Sequence, residues 1–135
     1  MFNDLIGVPF LDGGRDIKTG FDCYGLVMEI YRRNGINLPE YYAHALDSEA
    51  VSTQIETATQ LPIWERSESP EPPMLAVMAI HFNSPLCNHT GVYIGNGKFI
   101  HTRERIGVCI DSINSPAWRH RIDGYYIYKG GGSTK

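Results

Sequence analysis

The sequence predicts an α+β domain, with helices first and a small antiparallel sheet after them. Three observations carry this reading. Apolar residues recur at helical spacing after Cys23 and again over residues 48 to 60. Five strand-like runs follow, Ala76 to Phe82, His89 to Ile94, Lys98 to Thr102, Val108 to Ile110 and Gly124 to Tyr128. A hairpin signal, Gly95-Asn96-Gly97, joins the second run to the third.

In chain order, residues 2 to 8 are expected to form a short helix that stops before Pro9. Pro9 to Gly14 then reads as a turn and loop, and Gly13-Gly14 permits close backbone approach. In the next helix Leu26, Val27, Ile30 and Tyr31 mark the apolar side. Arg32 and Arg33 occupy its last turn and Gly35 ends it. Asp22 is the expected N-cap, which puts Cys23 in the first turn. Ile36 to Pro39 is extended. The helix over 48 to 60 takes Asp47 or Ser48 as cap and reads as scaffold. Residues 62 to 73, rich in Pro, Glu and Ser, read as a surface linker. Residues 1–129 are expected to make one domain, and 130–135 a flexible tail.

Composition bounds the function. A chain of 135 residues can bury a sizeable core without staples. Its net charge of −3 argues against nucleic acid or an anionic membrane surface as the main partner. Three cysteines cannot all pair, which points to a reduced origin rather than a disulfide framework. The first residues lack the basic start and apolar run of a signal peptide, and no stretch reaches membrane-spanning length. The expected site of synthesis is therefore the cytoplasm, with no insertion in a membrane.

Two features carry chemistry. At the start of a helix, Cys23 faces unpaired backbone N–H groups and the positive end of the helix dipole, and both favour the thiolate. A small buried packing residue is the competing reading. The second feature is the hairpin. A three-residue loop pairs Ile94 with Lys98, Val92 with Ile100 and Gly91 with His101, so that His89, Tyr93, Phe99 and His101 share one face. A two-residue Asn96-Gly97 turn shifts the register by one and separates the histidines. With the first register, one imidazole can take a proton from the sulfur while the second fixes its tautomer. Cys87, His89, His101 and Cys109 also form a zinc-type donor set, but their spacing matches no common finger or ribbon. No metal or cofactor is expected. His44, His81 and His120 have no partner evident in sequence and read as loop or surface residues.

Three segments resemble the NlpC/P60 family of papain-like cysteine peptidases: Gly7 to Gly14, Gly20 to Val27, and His89 to His101. The resemblance implies a papain-like NlpC/P60 fold and a hydrolase of the thiol protease type. It implies Cys23 as nucleophile, His89 as general base and acid, and His101 as the polar third member. The implied substrate is a peptidoglycan stem peptide, cut at a γ-D-glutamyl–diaminopimelate-type amide. Asp22, Tyr24 and Phe10 fall at the family's substrate-binding positions, with Phe10 in place of the usual Tyr and Tyr24 in place of the usual Ser. Cys23 to Val27, Tyr31 to Arg33, Gly35 to Pro39 and Ser115 to Arg119 are similar to the phage and prophage tail-associated branch. That similarity implies incorporation in a tail particle and phage tail proteins as partners. The altered Phe10 and Tyr24 keep open a second reading, a catalytically inactive tail component that binds wall peptide.

Overall fold

The last described strand of the chain lies one place in from an edge of the sheet. In the computed structural model, which describes residues 2–41 and 47–130, six antiparallel strands run in the spatial order β3-β8-β4-β5-β6-β7. These are β3 (Trp64–Ser67), β4 (Val77–Ile80), β5 (His89–Gly95), β6 (Lys98–Arg103), β7 (Gly107–Ser112) and β8 (Ile122–Tyr128). A small ribbon, β1 (Arg15–Asp16) with β2 (Gly20–Phe21), precedes the helices α1 (Cys23–Arg33) and α2 (Ser48–Thr59). The α+β class and the helix-then-sheet order stand as expected. The glycine-rich end beyond residue 130 and His44 lie outside the described residues.

Alternation along β5 and β6 sends side chains to two cores. On one face Val92, Ile100 and Val108 pack against Leu26, Val27, Ile30 and Tyr31 of α1, with Phe2, Leu5 and Phe21 closing the end. On the other, Met78, Ile80, Tyr93 and Phe99 pack against Trp118. Tyr31, Trp64 and Tyr128 meet edge-to-face, and the Tyr31 hydroxyl donates to the Leu75 carbonyl 2.5 Å away.

Several expectations need correction. Only Asn3–Leu5 is helical in the 2 to 8 stretch, as a 3-10 turn preceded by Phe2 at φ 59°. Arg33 ties that turn to α1 by donating to both oxygens of Asp4. The 62 to 73 segment is not all linker, because Trp64–Ser67 pairs with β8 at the sheet edge. The hairpin combines both registers considered. Asn96 and Gly97 have φ of 54° and 72°, a two-residue turn, yet Val92 pairs with Ile100. Gly95 rather than Ile94 pairs with Lys98, so one extra residue bulges out and restores the register beyond it.

The glycine loop does make the close approach expected of it. A Cβ on Gly25 in α1 would lie 2.1 Å from the Gly14 carbonyl oxygen, and one on Gly14 would lie 2.3 Å from that of Gly20. The loop and the first turn of α1 are therefore in backbone contact. This contact brings Gly13 and Gly14 against the residues flanking Cys23.

Candidate active site

The start of α1 is fixed by one carboxylate. Asp22 Oδ1 accepts from the Gly25 N–H and from Arg15 Nη1, both at 2.7 Å, and Oδ2 accepts from the Gly13 N–H at 3.1 Å. The cap role expected of Asp22 is thus met. Its oxygens are shared among three internal donors, so an incoming substrate amine would have to compete with Arg15. Arg15 also donates to Glu40 and to the Tyr41 carbonyl, tying the 40–41 segment to the same point. Tyr24 packs its ring on Tyr41 and donates its hydroxyl to the Pro39 carbonyl. Phe10 bridges Phe21, two residues before Cys23.

Cys23 lines an apolar cavity of about 90 Å³ together with Val51, Ile55, Trp64, Val77 and Thr90. The thiol is pushed above its ordinary pKa, first by burial and then by the Asp22 carboxylate, against weaker support from Thr90 and the Tyr24 backbone. Burial thus acts against the thiolate that the helix start favours. Among the described residues, no hydrogen bond joins it to His89.

The two histidines do meet. His89 Nε2 lies 2.8 Å from His101 Nδ1, and His101 Nε2 lies 2.7 Å from Asp111 Oδ2. A carboxylate only accepts, so His101 carries its proton on Nε2 and accepts at Nδ1 from the Nε2–H of His89. That leaves Nδ1 of His89 with a free lone pair, the state a general base requires. His101 is fully buried and His89 is 6% exposed. Trp118 walls the pair, edge-on to His101 at 4.8 Å and roughly parallel to His89 at 6.3 Å. Phe82 lies on His89 at 5.7 Å. Burial pushes both histidines below their usual pKa. For His89 the charges of His101 and Arg103 add to the effect, and for His101 Asp111 opposes it.

Sequence reasoning missed Asp111. It lies on β7 opposite Phe99, while His101 faces Cys109, so the carboxylate reaches the ring diagonally. The zinc-type set of Cys87, His89, His101 and Cys109 does not gather. Cys109 lies 3.6 Å from His101 Nε2, whereas Cys87 lies beside His81, 3.5 Å away. His81 is therefore not without partners, and His120 is exposed as expected.

Comparison with known proteins now bears on this arrangement. The profile of the NlpC/P60 family matches residues 7–126. The chain belongs to the NlpC/P60 family. It is 29% identical over 125 residues to a protein of Escherichia coli K12 named murein DD-endopeptidase MepS/murein LD-carboxypeptidase, over 90% of this chain and 56% of that one. It is 32% identical over 119 residues to the gamma-DL-glutamyl hydrolase of Bacillus subtilis 168, over 87% of this chain and 24% of that one. The chain thus spans about half or less of the length of these relatives. A crystal structure of an NlpC/P60 family protein from Bacillus cereus ATCC 10987 superposes with a TM-score of 0.66 at 23% identity, covering 92% of this chain and 36% of that one. That likeness shows the shared fold. No helix among the described residues is long and apolar enough to cross a membrane.

The neutral histidines set a pH dependence of stability. Their folded pKa values lie below the unfolded value near 6.5, so below that pH the unfolded chain binds protons that the folded chain refuses. Stability is expected to be full above about pH 6.5 and to fall as the pH drops, by up to about 1.4 kcal/mol per pH unit for each histidine. Denaturant midpoints between pH 7 and 5 check this, and the fall is expected to be shallower in His89→Gln.

Proposed function

We propose that this chain is a cysteine peptidase that hydrolyses amide bonds of peptidoglycan stem peptides, at a γ-D-glutamyl–diaminopimelate-type link. The observation that supports it most is the proton path Asp111–His101–His89, which ends in an unprotonated Nδ1 next to the strand residue that touches Cys23. In this reading Cys23 Sγ attacks the amide carbonyl carbon as its proton passes to His89 Nδ1, a contact that tightens when substrate is bound. His89 then gives that proton to the leaving amine, and the acyl group stays on sulfur as a thioester. Water attacks the thioester, loses its proton to His89, and the restored thiol takes it back.

The raised thiol pKa makes the neutral imidazole necessary, because the free sulfur is not already an anion. Cys23, as the first residue of α1, has an N–H with no intrahelical acceptor, which suits it to the developing oxyanion. A carboxylate-bearing peptide suits Arg103. Its guanidinium lies over Phe82 at 5.2 Å and Trp118 at 5.5 Å, and no carboxylate pairs with it among the described residues. The names of the relatives, which act on murein or on γ-glutamyl bonds, agree with this substrate class. The finer reading, a particle-borne enzyme of a phage or prophage tail, rests on the segments at 23–39 and 115–119.

Incubation with purified muropeptides is expected to release amine and acid fragments, and Cys23→Ala is expected to release none. Equal products from both proteins, or no cut bond under any condition, would overturn the peptidase reading in favour of a wall-peptide-binding component. Asp111→Ala is expected to lower kcat by about 10- to 100-fold with little change in KM, as loss of one charge-assisted hydrogen bond that orients His101. Arg103→Ala is expected to act the other way, raising KM more than it lowers kcat. Mass spectrometry of purified tail particles is expected to find this chain in stoichiometric amount, and its absence there removes the tail assignment.

A further inference from the structure

We propose that His81, Cys87 and Asp123 form a divalent-metal site of zinc type that clips the β4–β5 connection to the start of β8. The three residues come from different places. His81 follows the last residue of β4, Cys87 lies in the connection two residues before His89, and Asp123 lies in β8. Their ligand atoms all lie within 4.8 Å of one another. His81 Nε2 is 3.5 Å from Cys87 Sγ and 3.5 Å from Asp123 Oδ1.

The separation of His81 from Asp123 is the size that a shared ion gives. An N–H to carboxylate bond is at its best near 2.7–2.9 Å, so 3.5 Å is too long for a good one. Two ligands on one tetrahedral zinc ion, with bonds of about 2.0–2.3 Å, stand roughly 3.3–3.8 Å apart. The histidine-to-carboxylate gap fits the second case.

The backbone also prepares the site. Ala79 pairs with Gly124 and Ile80 with Ile122, so Asp123 is the extra residue of a bulge in β8. Bulges re-aim a side chain, and this one points the carboxylate at His81. Arg66 holds the rest of Asp123: Nη2 donates to its carbonyl at 2.7 Å, and Nη1 lies 3.6 Å from Oδ2. Oδ1 is thus left for a ligand, with Oδ2 steadied from behind. His81 is anchored through its own N–H, which donates to the Arg121 carbonyl at 2.7 Å. Asn88 closes the connection on itself through the Phe82 N–H and carbonyl, which keeps Cys87 near His81. An open cavity lined by His81, Asn83, His120 and Arg121 adjoins the cluster and gives room for a water as fourth ligand.

Without an ion, burial and the Asp123 carboxylate push the Cys87 thiol up to about 11. A bound cation reverses that balance: Cys87 loses its proton to solvent and the thiolate binds the metal, so one proton is released per ion. The ion would then brace the segment leading into His89.

The test uses the intact chain and cobalt(II) as a spectroscopic probe for zinc. One equivalent is expected to bind, with a thiolate-to-cobalt charge-transfer band that zinc(II) removes by displacement. Cys87→Ser is expected to abolish the band, and Asp123→Asn to weaken binding by about tenfold or more. Cys109→Ser is expected to leave both unchanged, which separates this site from the neighbouring group of His101, Cys109 and Asp111. Zinc is expected to raise Tm in the parent chain and not in Cys87→Ser, whose fold is checked by its Tm without metal. A band that survives Cys87→Ser, a band lost in Cys109→Ser, or no band at saturating cobalt overturns the proposal.

Discussion

The Asp22 carboxylate is the constraint on which the rest of this architecture leans. It accepts from the Gly13 and Gly25 N–H groups and from the Arg15 guanidinium, so one buried group joins the glycine loop, the first turn of α1 and the 40–41 segment. A buried carboxylate is costly unless it is paired and hydrogen-bonded, and here all three donors are supplied from within ten residues of chain. The same group raises the thiol pKa of its neighbour Cys23. The group that orders the helix start thus also adds to the burial that holds the sulfur protonated.

From that fixed point the sheet supplies the other half of the site. Thr90 touches Cys23, and the alternation of β5 turns His89 toward Trp118 and His101. The bulge at Ile94 matters for this reason. The Asn96-Gly97 turn alone would slip β6 by one residue and carry His101 to the face occupied by Val92 and Ile100. An extra residue in one strand lets the tightest hairpin turn coexist with the histidine pair.

Much of this was legible in the sequence because it rests on local rules. Asp22 before an apolar helical stripe, basic residues in the last turn, and alternating runs with Gly at turns are short-range signals, and α1, α2 and the last five strands follow them. What the sequence concealed depends on distant pairing. Trp64–Ser67 reads as linker because Glu65 and Arg66 are solvent-facing on an edge strand, and only Tyr31 and Tyr128 reveal why Trp64 is there. Asp111 joins the site through the β6–β7 register, and the Val108 to Ile110 run stops short of it. The thiol's shift was likewise out of reach, since it comes from burial beneath α2 and β4 residues far along the chain.

The position of β8 has a consequence for synthesis. Last of the described strands in the chain, it lies between β3 and β4, so neither neighbour has its full set of ladder partners until Tyr128 has left the ribosome. Asp123 and the wall behind Met78 arrive with that strand. A nascent chain paused before it holds Cys23 and both histidines on a sheet that still lacks the strand joining β3 to β4.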